Sequence, residues 1–200
     1  MALVKYGQSF KTMAITINGS GTLTGVSVGG LPDGIVDRDT LATLAKGSII
    51  QIVTGTKTGE ASTTSDTMAD TGLSASITPS ATSSKILVQV CHPARIQRSG
   101  EYEGYGGFDL LRDSTVIYEA AKRSGAGYSG FMVSMTGSNS AAQMRSNYNL
   151  TVMDSPSSTS SLTYKTQYAI DYSSQLYINP LHGDAAYTPH STIVLMEVAG

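Results

Sequence analysis

The chain contains no tryptophan, one cysteine and three phenylalanines in 200 residues. The single thiol, Cys91, cannot make an intramolecular disulfide, so the fold is not stapled. It falls inside a strand-like run, where a free cysteine reads as a small buried hydrophobe. Charge is also scarce: Asp, Glu, Lys and Arg make up 14% of the chain, against about a quarter in ordinary globular domains. A net charge of −2 and a pI near 5.9 give no electrostatic case for nucleic acid or an anionic membrane. No apolar run approaches the roughly 18 residues that span a bilayer. The opening MALVKYGQSFKTMAITING lacks the long apolar core of a secretion signal. The expectation is a soluble protein made in a cytoplasm, without membrane insertion.

What is abundant points one way. Glycine supplies 21 residues, and serine and threonine are spread throughout. Such a composition suits short strands and many turns, not helices, which favour Ala, Leu, Glu, Lys and Arg. Low charge with much Ser, Thr and Gly fits either disorder or a β protein that hides surface in an oligomer. The β-branched and tyrosine content favours the second. The length allows one large β domain, or an ordinary domain with an appendage.

The clearest segment is Thr71–Val90, TGLSASITPSATSSKILVQV. Ile86, Val88 and Val90 fall on one face, with Leu87, Gln89 and Cys91 on the other; this alternation marks a half-buried strand. Pro79 and the hydroxyl residues after it mark the turn. Further strands are expected near Ile49–Thr54, Gly72–Thr78, Lys85–His92, Gly107–Leu111, Thr115–Glu119, Gly130–Thr136, Asn147–Met153, Thr163–Ile170, Gln175–Ile178 and Thr192–Val198. Turn chemistry separates them at Arg112–Ser114, Asp154–Ser157 and Asp171–Ser174. The spacing predicts an all-β sandwich of jelly-roll type over residues 48–200. Pro93–Gly106 and Pro180–His190 read as longer irregular stretches.

Residues 1–47 read differently. Met13–Ile17 and Thr22–Val28 are short β pieces around Asn18-Gly19-Ser20-Gly21, a hairpin-type joint. Leu31-Pro32-Asp33-Gly34 is a tight turn. Asp37–Gly47 carries the one good helix signal: Asp37 or Asp39 can cap it, and Lys46 and Gly47 close it. Leu41, Leu44 and Ala45 form its narrow apolar seam. A helix this short is not stable alone, so the expectation is an extended β arm and one helix that packs on symmetry mates, with Leu41 and Leu44 at the seam.

Reaction chemistry is hard to find. His182, Asp184 and His190 share one loop region but match no standard zinc spacing, and read as polar loop residues. Glu101, Glu103 and Asp109 flank Gly104–Gly107. Glycoside hydrolysis wants two carboxyls about 5–10 Å apart, but loop carboxylates are common. The glycine run lacks the Lys-Ser/Thr of a phosphate loop, and there is no G-x-S-x-G nucleophile elbow. Cys91 and His92 are strand neighbours and point to opposite faces. No catalytic residue, metal or cofactor is assigned, and the chain is not expected to be an enzyme. The eleven tyrosines are the best functional candidates. Tyr102, Tyr105, Tyr128, Tyr172 and Tyr187 fall in expected loops or strand ends. They suit stacking on sugar rings or contact with a receptor, and equally suit filling the core and subunit seams. Tyr118, Tyr148, Tyr164, Tyr168 and Tyr177 lie in expected strands and read as structural.

Two sets of residues carry a resemblance. Met13–Ala42, MAITINGSGTLTGVSVGGLPDGIVDRDTLA, resembles the N-terminal segment of tail-fibre-like proteins of marine and cyanobacterial tailed bacteriophages. TGLSASITPSATSSKILVQV, the pentad Tyr164–Tyr168 (YKTQY) and the closing STIVLMEVAG resemble a β domain common at the end of such fibres. The resemblance implies a virion structural protein, made in the bacterial host, with a homotrimeric fibre or spike as its form. It implies partners among tail or capsid proteins, and host-surface glycan or protein as the target of attachment. A capsid decoration or head-fibre protein is the alternative. Similar segments often begin at the position of Met13. The extra residues Met1–Thr12 carry Leu3, Val4, Tyr6 and Phe10, which are expected to anchor the chain to the particle.

Overall fold

A computed structural model describes residues 16–17, 23–24, 46–98, 104–122, 128–129, 131–133, 143–171, 174–181 and 189–200. The chain divides into two units, Met1–Leu44 and Ala45–Gly200. In the first, β1 (Thr16–Ile17) pairs antiparallel with β2 (Leu23–Thr24), Thr16 opposite Thr24. The pairing brackets the expected Asn18–Gly21 joint. The turn at Leu31–Gly34 and the helix over Asp37–Gly47 lie outside the described residues, apart from Lys46 and Gly47. These two form a turn, with Gly47 at φ +86°.

The second unit is all β, with no helix among the described residues. Its strands are β3 (Ile49–Lys57), β4 (Ala61–Thr63), β5 (Ala69–Ile77), β6 (Lys85–Arg98), β7 (Gly104–Arg112), β8 (Thr115–Tyr118), β9 (Ala121–Lys122), β10 (Tyr128–Ser129), β11 (Phe131–Val133), β12 (Gln143–Asp154), β13 (Leu162–Ile170), β14 (Ser174–Ile178) and β15 (Ser191–Val198). The six-stranded sheet runs β3–β15–β6–β12, with β14 and β4 continuing beside the far half of β6. The five-stranded sheet runs β5–β13–β7, with β8 and β11 on the outer edge of β7. Take β3, β5, β6, β7, β8, β12, β13 and β15 in chain order. The first sheet then reads first, eighth, third, sixth, and the second reads second, seventh, fourth, fifth. That interleaving of two Greek keys is the jelly roll the sequence predicts.

The long strands send alternate side chains inward. At one end Leu73, Ile77, Ile86, Val88, Leu110, Tyr164, Ile193 and Leu195 pack between the sheets; at the other are Ile96, Phe108, Tyr148, Tyr168, Ile170, Leu176 and Ile178. Where β3 crosses β5 the backbones nearly touch, and a Cβ on Gly55 would run into the Ser74 carbonyl. Glycine is what closes the sandwich along that side.

One expectation needs correction. Pro93–Gly106 is not an irregular stretch: β6 continues without a break to Arg98, and β7 starts at Gly104. Proline normally ends a ladder because it has no N–H to donate. The Pro93 carbonyl accepts from Asn179 N (2.8 Å), so its missing N–H faces the same edge. Along that edge of β6, pairing with β15 ends at Cys91 and pairing with β14 begins at Ala94. Pro93 sits in the gap, where no ladder bond is lost. One strand, β4, is announced by no periodicity. Three small residues become a strand by pairing Ala61, Ser62 and Thr63 with Ile178, Tyr177 and Leu176.

Candidate functional site

Most of the residues singled out from the sequence lie outside the described residues: Tyr102, Tyr172 and Tyr187, Leu3, Val4, Tyr6 and Phe10, Leu41 and Leu44, and Glu101, Glu103, His182 and Asp184. Tyr105 is described. It is the second residue of β7, half-buried, on the face away from the sandwich interior, and its carbonyl accepts from Asp171 N (3.0 Å). Tyr128 is in β10 opposite Lys122. The neighbouring Gly104 and Gly106 point inward. A Cβ on Gly104 would meet the Ser174 hydroxyl at 2.6 Å, and one on Gly106 would meet Leu176 at 3.0 Å. The glycine run therefore serves contact between the sheets rather than a ligand cradle. Asp109 is buried on the outer side of β7 and accepts from Ala120 N (2.8 Å); burial pushes its carboxyl above the usual range. Tyr148, Tyr164 and Tyr168 are buried, as expected of structural residues.

Two buried polar assemblies were not visible in the sequence. His92 points into the sandwich with no exposed surface, stacked on Phe108 at 4.9 Å between ring centroids. Its Nδ1 lies 2.8 Å from Ser191 Oγ and its Nε2 3.0 Å from Thr166 Oγ1. The protons can be placed by following the donors. Asn179 Nδ2 donates to the Lys57 and Gly59 carbonyls, so its Oδ1 accepts, and Ser191 donates to it at 2.7 Å. Ser191 must then accept from His92 Nδ1–H, and the neutral Nε2 must accept from Thr166. Thr166 accepts in turn from Thr71, 2.6 Å away. One directed chain, Thr71 to Thr166 to His92 to Ser191 to Asn179, links the two sheets. Burial pushes the His92 imidazole down to about 3. With no exposed surface it cannot meet a substrate.

Glu197 is the second assembly. It is fully buried at the C-terminal end of β15 and has no cationic partner among the described residues. One oxygen accepts from Ser80 N, Ser80 Oγ and Ser84 Oγ, each at 2.7 Å, and the other from Gln51 Nε2 at 2.6 Å. Burial alone pushes this carboxyl up. The hydrogen bonds outweigh that and hold it below the usual carboxylate range. The hydroxyl-rich joint after Pro79 is thus a set of donors for a glutamate in the closing segment.

The two outer faces of the sandwich differ. On the five-stranded sheet, Asp70 pairs with Lys165 (2.9 Å) and accepts from Gln167 (2.7 Å), and Met68, Ala120 and Ala169 form a small covered cluster. On the six-stranded sheet the outward residues form cross-strand rows: Ile52–Met196–Leu87–Met153, then Thr54–Val194–Gln89–Thr151, then Thr56–Thr192–Cys91–Asn149. The first row is apolar at every position, with Ile52 58% and Met153 49% exposed. A shallow depression of about 290 Å³ lies over the next two rows, lined by Gln89, Cys91, Asn149, Thr151, Thr192 and Val194. A second, of about 280 Å³, follows at Pro93, Arg145, Asn147, Pro180 and Pro189. Charge returns only at the ends of the face, with Lys85 at one and Arg145 and Arg95 at the other. Arg95 lies 3.8 Å over the Tyr177 ring and 3.8 Å from Glu60. No cluster of metal-ligating side chains occurs among the described residues.

No family model and no curated protein matches the chain. Among solved structures it is similar to that of the infectious bursal disease virus Gt strain, with 15% identity over 85% of this chain and 43% of that one, at a TM-score of 0.34. It is also similar to a mutant VP2 protein of that virus in derived T=1 particles, with 18% identity over 84% and 41% and a TM-score of 0.35. A third is the VP2 subviral particle, with 16% identity over 76% and 38% and a TM-score of 0.32. The chain spans about two fifths of the length of these chains. At such scores the likeness says nothing about what this chain does. Its architecture rests on its own strand pairings: an all-β sandwich of jelly-roll topology.

Proposed function

We propose that this chain is a structural protein of a tailed-phage virion: a short homotrimeric fibre or spike whose sandwich head, residues 48–200, attaches to the host surface. One observation carries the reading. The fibre-like segments TGLSASITPSATSSKILVQV and STIVLMEVAG are held together at Glu197, which takes hydrogen bonds from Ser80 and Ser84. The resemblance therefore lies in the framework of the head, not in a detachable motif. Residues 1–47 serve as the attachment and trimerisation arm, with Leu3, Val4, Tyr6 and Phe10 as the anchor and Leu41 and Leu44 on the trimer helix. Tyr102, Tyr105, Tyr128, Tyr172 and Tyr187 are the contact residues, each weak and strengthened by copy number.

Immunogold labelling of intact virions with antibody to residues 48–200 tests this. Label at the tail supports attachment. Label spread over the head makes the chain a decoration or head-fibre protein, and absence from the particle overturns both readings. Virions that still carry the protein after deletion of residues 1–12 would remove those residues from the anchor.

A further inference from the structure

We propose that the uncharged outer face of the six-stranded sheet is a self-association surface, covered by a second copy of this chain. Between Lys85 and the Arg95 and Arg145 end, no outward side chain of β3, β15, β6 or β12 carries charge. The opposite sheet spends an ion pair and exposed serines on its outer face, so the contrast is local and not a mere effect of composition. Leu87 and Met196 are half-buried between Ile52 and Met153, which are the two most exposed large hydrophobics of the described residues. A continuous apolar row beside a shallow depression is the anatomy of a contact surface.

The chemistry selects the occupant. An interface between identical faces must be self-complementary. A face of one charge sign repels its own copy, whereas Gln, Asn and Thr side chains each donate and accept and can pair with themselves. Size agrees. Three full rows ~7 Å apart on four strands ~4.8 Å apart, with Pro93 and Asn147 beyond them, give roughly 450 Å² per copy. A pair then buries about 900 Å², the size of a weak, reversible contact. A contact between identical faces is two-fold and cannot itself close a trimer, so it would pair copies belonging to separate trimers; the inference rests neither on the trimer nor on a position at the tail or on the shell.

Cys91 lies within the face, so the full-length protein carries its own probe. Alkylation of Cys91 by a maleimide is followed alongside the sedimentation mass. The wild type is expected to be oligomeric and to react about tenfold more slowly than Ile52→Glu/Met153→Glu, as when nine copies in ten are covered. The variant is expected to keep its circular dichroism, since both sites are largely exposed. Thr151→Glu provides a second disruption outside the apolar row. Ser74→Glu, on the opposite outer face, should leave both readouts unchanged. Equal alkylation rates in wild type and both variants overturn the proposal, including when the protein stays oligomeric through its N-terminal segment. A protected Cys91 in a monomeric wild type also overturns it, since a second copy would then not be the cover.

Discussion

The middle of the sandwich and its rim each bury one ionisable side chain without a counter-charge, and they do so in opposite ways. At the middle, His92 gives up its charge. A neutral imidazole with one donor and one acceptor fits a chain in which every link is single. At the rim, Glu197 keeps its charge, because four donors converge on two oxygens. A chain has no spare members, so losing any link leaves a buried group without a partner. A hub can lose one donor and keep three. The difference predicts where this fold is brittle and where it is tolerant.

The largest expected effect is on acid stability. Unfolded His92 titrates at its ordinary value of 6.5, and the folded protein refuses that proton until about 3. A depressed folded value means stability that is fully present above pH 6.5 and lost as pH falls from there toward 3. The loss is on the order of 5 kcal/mol. Glu197 and Asp70, both held low, add to the loss only in the carboxylate range, while Asp109, held high, opposes it there. Urea unfolding should therefore weaken already between pH 6.5 and 4.5. His92→Gln should flatten that part of the profile, whatever it costs at neutral pH. An unchanged slope in the variant would take His92 out of the acid response.

Next is the hub itself. Glu197→Ala leaves Ser80, Ser84 and Gln51 without their shared acceptor and should cost about 3 kcal/mol. For a chain of this size that lowers Tm by roughly 6–12 °C, readable by calorimetry. The chain comes third: Thr166→Val keeps the shape but removes the donor to His92 Nε2, and should cost about 2 kcal/mol. Ser84→Ala should cost least, about 1 kcal/mol, because the carboxylate keeps three donors. If Ser84→Ala proves as damaging as Thr166→Val, the distinction between chain and hub fails.

Much of the fold was legible because alternation is a property of a single strand. Ile86, Val88 and Val90 point inward as their spacing requires, and Cys91 and His92 take opposite faces for the same reason. The hydroxyl residues after Pro79 mark a turn, as their chemistry demands. What could not be read were the features whose cause lies elsewhere in the chain. Pro93 reads as a breaker until the gap between β15 and β14 is seen beside it. Gly104 and Gly106 read as a loop until Ser174 and Leu176 are found packed on them.

The same holds for the candidate surfaces. Low charge and frequent Ser and Thr suggested hidden surface in an oligomer, but did not say which face. Ile52, Leu87, Met153 and Met196 come from four separate strands and become one row only when the pairings set their register. The sequence by itself determined the β class, the side each strand residue takes and the positions of many turns, because sterics and local periodicity act within a few residues. Only the tertiary structure decided the partners. Glu197 meets Ser80 across 117 positions and His92 meets Ser191 across 99, because a jelly roll places strands far apart in the chain side by side, and no local pattern records that order.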